Sequence, residues 1–221
     1  MLNKYSDNDP GLNNKKDFKM IKCFPNRLQK YLYINVSKNA STSIRKSIIF
    51  DGYEPYNSLE SVDKYLKFMV VRNPFNRVIS SYNEVKKLRR DGPWKITQRA
   101  SWYQEPNLLK SFEMFLEFIT GNFYDNHVKP QKIFLDDKGI SLSDIDEILL
   151  MDNLEKDFNR LIKNHPQILT KSLSLRHELK TPSDTHHLLG DFIESSSAVR
   201  KQILSLYSED FLIYKKVAEG R

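Results

Sequence analysis

Two short stretches carry side chains with chemistry to offer. Residues 31–43, YLYINVSKNASTS, deliver Lys38 and then the hydroxyl trio Ser41, Thr42 and Ser43, with Asn39 and Ala40 between them. Residues 65–82, YLKFMVVRNPFNRVISSY, deliver Arg72 and, eight positions on, Ser80. Each opens as a β-prone apolar run, breaks off in polar residues and continues at helical spacing. A phosphate at such a strand-to-helix junction is held by backbone N–H groups and the positive end of the helix dipole. The hydroxyls add donors and Lys38 adds a full charge. An arginine fork such as Arg72 suits a terminal phosphate, whose coordination a serine hydroxyl completes. Two such units describe a site for a ligand with two separate anionic groups. The same residues would also serve plainer ends: a capping turn for the first unit, sheet carbonyls and small-residue packing for the second.

The elements that must position these groups follow from the pattern around them. Residues 1–27 are rich in Asn, Lys and Asp with little periodicity, and are expected to form a polar N-terminal extension. Residues 28–221 are expected to fold as one domain. A strand over 31–36 leads to a helix over about 42–50, with Ile44 and Ile48 on one buried face and an AspGly stop at 51–52. Residues 66–71, LKFMVV, read as a strand buried on both faces, typical of a parallel sheet. Asn73 then caps a helix with Pro74 at its first position. Phe75, Val78, Ile79, Tyr82 and Val85 are expected to pack that helix on the sheet. A helix over 108–120, a strand over 146–151, a helix over 153–163 and a last helix over 196–206 complete the pattern, with loops at 88–107 and 165–190. Strands alternating with helices predict an α/β fold in three layers, a central parallel sheet flanked by helices.

Composition narrows the partners. Lys plus Arg number 35 against 28 acidic residues, a formal charge of +7, in a chain of 221 residues that is 39% hydrophobic. The excess suits a polyanion, an acidic membrane surface or a phosphate-rich small molecule, and is equally met by a solvated lysine-rich surface. Cys23 is the only cysteine, so no intrachain disulfide and no cysteine zinc site can form. That usage fits a reducing cytoplasm. The first nineteen residues are too polar for the apolar core of a signal peptide, and no run approaches eighteen apolar residues. A cytoplasmic protein with no membrane span is expected; oligomeric state is not readable.

The Walker pattern is absent. The first loop has no glycine, and its lysine precedes the hydroxyls by several residues. No aspartate ends a strand in a metal-holding position, so no metal is expected and a small-molecule kinase of the P-loop type is disfavoured. Instead the chain resembles the sulfotransferases, especially the family-2 carbohydrate type. Residues 37–43 resemble their 5′-phosphosulfate motif, and residues 72–80 their 3′-phosphate motif of Arg-Asp/Asn-Pro followed by Arg and Ser. Residues 126–131, NHVKPQ, resemble the family's His-Trp-x-Pro-Gln segment. Residues 151–158, MDNLEKDF, resemble its Glu-x-Leu-x-x-Asp-Phe segment, and residues 207–211, YSEDF, its closing Tyr-x-x-Asp-Phe. Ser37 stands where the family has proline, Val128 where it has tryptophan, and Asp152 where it often has glutamate.

The resemblance implies the sulfotransferase fold and sulfuryl transfer from 3′-phosphoadenosine 5′-phosphosulfate (PAPS), released as 3′,5′-ADP, to an acceptor hydroxyl or amine, a carbohydrate by family analogy. Residues 38–43 (Lys38, Asn39, Ala40, Ser41, Thr42, Ser43) would hold the 5′ group, with Lys38 stabilising the leaving phosphate. Arg72 and Ser80 would recognise the 3′-phosphate. His127 is the favoured general base, because it follows the 108–120 helix and lies inside a family-like segment, and a histidine suits proton transfer. Asp51, Glu54 and Glu84 are rivals, while His186 and His187 read as loop residues. The aromatic stretch 91–107, with Trp94, Trp102 and Tyr103, is a candidate acceptor lid or a plug at the edge of the core. Two other readings stay open: a PAPS-binding domain without turnover, and a basic nucleic-acid-binding module that stacks bases on its aromatic loop, although no nucleic-acid partner is expected under the main reading.

Overall fold

The computed structural model describes residues 22–55, 59–87, 100–120, 126–136, 139–171 and 183–220. Its centre is a five-stranded sheet in the order β3-β1-β2-β4-β5. Strands β2 (Tyr31–Ile34), β4 (Leu66–Val71) and β5 (Glu147–Leu150) run parallel. The other side of the sheet differs from the all-parallel expectation: β1 (Lys22–Asn26) pairs antiparallel with β2 and with the two-residue β3 (Glu54–Pro55). The sheet thus begins at Lys22, ahead of the boundary expected at 28. The tight turn that permits this antiparallel pair is stabilised by the Asn26 side chain, which accepts from Gln29 N at 2.9 Å.

Period-two alternation explains the layers. Leu32, Ile34, Met69 and Val71 face one side of the sheet, where they pack with Phe134, Leu135 and Ile213. Tyr31, Tyr33, Phe68 and Val70 face the other, against Ile44, Ile48, Leu154, Phe158 and Leu161. The helices responsible are α5 (Gln131–Asp136) and α9 (Ser208–Glu219) on the first face, and α1 (Ser41–Ser47) and α6 (Leu154–Asn164) on the second. The expected α/β layering is present. β4 matches its predicted bounds because a continuous apolar run buried on both faces has no competing reading.

A separate helical cluster stands beside the sheet. Val78, Ile79, Tyr82 and Val85 of α2 (Pro74–Lys87) pack with Trp102, Phe112, Phe115, Leu189, Ile193 and Ile203 rather than with strand residues. The expectation that this face of α2 covers the sheet is therefore corrected. Its partners are α3 (Ser101–Gln104), α4 (Leu108–Ile119), α7 (Ser183–Ser195) and α8 (Ser197–Leu206). Trp102 is 1% exposed and ringed by Tyr82, Tyr103 and Phe115, so it plugs this core and is closed to an acceptor or a base. Trp94, with the rest of 88–99, lies outside the described residues. Residues 183–190, expected as loop, form the first turns of α7 and carry His186 and His187. Helix α9 continues where the last expected helix was to end.

Candidate active site

The parallel register of β2 and β4 pairs Ile34 with Met69, so both strands end side by side at one edge. The two polar loops that leave them are neighbours by construction, beyond the carboxyl ends of central strands, where α/β proteins bind ligands. The loop after β2 bends without glycine: Lys38 and Ala40 take left-handed φ values of 68° and 55°. Such values cost roughly 1 kcal/mol or more for a residue with a Cβ. Between them Asn39 is fully buried, its Nδ2 donating to Val70 O at 2.7 Å and to Gln131 Oε1 at 2.5 Å. Asn39 was expected among the ligand-binding residues; its side chain is instead committed beneath the loop. Ala40 at the N-cap of α1 offers no side-chain cap.

The loop after β4 is pinned from outside. Asn73 Oδ1 accepts from Phe75 N at 2.9 Å, the cap predicted for α2. Gln131 forms a two-way amide pair with the Arg72 backbone, Arg72 N donating to its Oε1 at 3.0 Å and its Nε2 to Arg72 O at 2.9 Å. Gln131 is positioned in turn by Asp210, whose carboxylate accepts Gln131 N at 2.7 Å and Lys132 N at 2.8 Å. Burial pushes the Asp210 carboxyl up, against the pull of Arg77 and these donors. Tyr207 OH donates to Val128 O at 2.8 Å. The family-like segments 126–131 and 207–211 thus act as scaffolding that fixes Arg72 and the chain around His127. In the third segment Asp157 accepts Leu150 N at 2.7 Å, tying α6 to the end of β5, and Asp152 accepts from Tyr214 OH at 2.5 Å.

Two arginines stitch the loops together. Arg72 Nη1 donates to Lys38 O at 3.0 Å, and the buried Arg77 donates through Nε to Ser37 O at 3.3 Å. The Arg72 guanidinium is pushed down to about 10, chiefly by burial and then by Arg77, with Asp152 opposing. It stays charged near neutrality. A base lowered in this way weakens the fold while charged, below that value, and an anion placed beside it would return the loss.

A cavity of about 250 Å³ opens between the loops, lined by Lys38, Ala40, the hydroxyl trio, Arg72, Ser80 and His127 together with Ser37, Arg45, Glu84 and Met151. The predicted residues Lys38, Ala40, Ser41, Thr42, Ser43, Arg72, Ser80 and His127 therefore meet in one place, and of that set Asn39 alone turns away. The volume lies below the roughly 300–1,000 Å³ of a pocket that encloses a whole ligand, and suits the charged end of one. Among the rival bases, Glu84 lines the cavity and Asp51 does not. Asp51 is exposed and accepts from Arg27 N at 2.7 Å; the side chain of Glu54 lies outside the described residues. Arg45 and Met151 escaped the sequence reading. Arg45 had a usable signal, standing one helical turn beyond Ser41, whose carbonyl accepts its Nε at 3.2 Å. His186 lies near enough to Arg72 for the guanidinium to lower its pKa, although burial lowers it more.

A model of the sulfotransferase family matches residues 22–216. The chain belongs to that family, as the motifs around Lys38 and Arg72 had implied, and its match to family-2 sulfotransferases spans nearly all the described structure. It is a sulfotransferase, an enzyme of sulfuryl transfer from a family whose donor in general is PAPS. No curated protein and no solved structure matches the chain. Among the described residues no helix is long and apolar enough to cross a membrane, and no group of three potential metal ligands gathers.

Proposed function

We propose that this enzyme transfers the sulfuryl group of PAPS to a hydroxyl group of a carbohydrate acceptor. The observation that carries the reading is one cavity with cation and hydroxyl donors from two loops, Lys38 and residues 41–43 on one side, Arg72 and Ser80 on the other. Those donors fit an anionic nucleotide with two separated charged groups. When bound, PAPS supplies an activated sulfuryl group on a phosphate leaving group. Lys38 and the hydroxyl trio bind the 5′ end, and the Lys38 charge offsets the negative charge that grows on the leaving oxygen. Arg72, fixed by Gln131 and already desolvated, binds the 3′-phosphate together with Ser80 and so rejects ATP, which lacks that group. His127 takes the acceptor proton. Family analogy alone favours a carbohydrate over other hydroxyl acceptors.

Thermal-shift measurements with 3′,5′-ADP, 5′-AMP and ATP test the reading. Ligand at a hundredfold over its dissociation constant stabilises by about 2.7 kcal/mol. A shift with 3′,5′-ADP well beyond those with 5′-AMP and ATP is expected; equal shifts with ATP would overturn it.

A further inference from the structure

The Lys38 ammonium already faces an anion where the donor's 5′ group is to sit. Its Nζ lies 3.3 Å from Glu84 Oε2, with side chains 17% and 33% exposed, and both residues line the cavity. Glu84 stands four residues beyond Ser80 on α2, so the helix presents the two on one face. In the open site the carboxylate offsets the lysine charge, in a recess where salt screens less than at a free surface. Beside a bound phosphosulfate the same carboxylate is a like charge at short range, which repels. Lys38 therefore has two rival anions, one belonging to the protein and one to the ligand.

We propose that Glu84 is the counter-ion Lys38 exchanges for the 5′ group of the nucleotide, and that re-forming the pair promotes release of 3′,5′-ADP after transfer. This rests on the reading of the cavity as a PAPS site. Glu84 is a positioning residue acting through Lys38, and the exchange makes and breaks no covalent bond. Its effect is confined to the 5′ end. Arg72 engages Lys38 through the backbone carbonyl and not through the ammonium that faces Glu84. Arg45, the other cation lining that side of the cavity, has its Nε on Ser41 O.

Calorimetry on the full chain with 3′,5′-ADP and with adenosine 3′-monophosphate, which lacks the 5′ group, separates the outcomes. Glu84→Gln is expected to bind 3′,5′-ADP roughly three- to tenfold more tightly and to bind the 3′-monophosphate as the wild type does. Adding Lys38→Ala to Glu84→Gln should abolish the gain. In turnover, Glu84→Gln should lower the KM for PAPS and kcat together, because product leaves more slowly. Glu84→Ala reports the same quantities without charge or amide, and a melting curve confirms that either variant is folded. Equal tightening of both nucleotides, or unchanged or weaker 3′,5′-ADP binding in folded variants, overturns the exchange and leaves the PAPS reading standing. A wild type that binds neither nucleotide overturns both.

Discussion

The two strand-to-helix units at the sheet edge are held in opposite ways. After β2, the chain makes its own bend through two left-handed residues, and a helix of seven residues follows. The loop's own Asn39 reaches down to anchor it, and the Arg72 and Arg77 side chains hold the carbonyls of Lys38 and Ser37. After β4, Arg72 and Asn73 lead straight into a capped helix of fourteen residues, and the Arg72 backbone is held by an amide pair from elsewhere in the chain. Their charges follow the same division. Lys38 meets a carboxylate at the cavity; the Arg72 guanidinium is half-buried and bonded to a carbonyl. The difference teaches where each kind of work belongs. On the proposed reading, a group whose charge changes during reaction meets a cation with an exchangeable partner, and one whose charge stays constant meets a cation already bonded to the backbone.

The largest expected effect lies outside both loops and sets the scale. His127→Ala should lower the acceptor-dependent rate by about 10²–10⁴-fold, the range for loss of a general base, with 3′,5′-ADP affinity nearly intact. Near-wild-type turnover in a folded variant would remove His127 from the role and turn attention to Glu54, Asp51 and Glu84. Lys38→Ala probes the first loop: single-turnover rates at saturating PAPS should fall by about 10²–10³-fold, far more than nucleotide affinity falls. An unchanged chemical rate would erase the division between the loops. For the second loop, Arg72→Ala should weaken 3′,5′-ADP and PAPS by about ten- to hundredfold and spare 5′-AMP. Calorimetry that found equal losses for all three would make Arg72 structural.

The comparison sharpens further in the scaffold. Gln131→Leu leaves the half-buried Arg72 backbone groups and the buried Asn39 amide short of a partner and should cost about 2–3 kcal/mol in urea unfolding. A loss below about 0.5 kcal/mol would mean that water replaces the amide and that the second loop is no stiffer than the first. Smallest of all, Ala40→Gly relieves the left-handed backbone of the first loop and should raise stability by up to about 1 kcal/mol. Destabilisation on the same unfolding curve would show that the bend is held by contacts of the alanine methyl.

Sequence and structure agree most closely where local signals were strong. β4 and the start of α2 were legible because an unbroken apolar run ends in Asn73 and Pro74, and few alternatives fit that order. β1 was missed because a five-residue strand containing Pro25 looks like the polar segment before it. Its place is set by antiparallel pairing with β2, a tertiary fact. α7 was missed because His186, His187 and Gly190 blur its periodicity. In α2 the apolar period was read correctly and its partner was not, since a stripe of side chains does not say which surface will cover it. The same limit governs the site. Residue types named Lys38, Arg72, Ser80 and His127, whereas the roles of Asn39, Gln131 and Asp210 depend on contacts between positions far apart in the chain.

Those distances carry a consequence for how the enzyme comes into being. Asn39 and Gln131 are 92 residues apart, Arg72 and Gln131 are 59, and Gln131 and Asp210 are 79. A nascent chain exposes both cation-bearing loops long before the carboxylate that seats Gln131 has been synthesised. Contacts of such sequence separation close late, after the local helices and neighbouring strands have formed. During synthesis the cationic loops are therefore present without the frame that aims them. The Asp210 carboxylate can seat Gln131 only once α9 docks, which ties the geometry of both loops to completion of the fold.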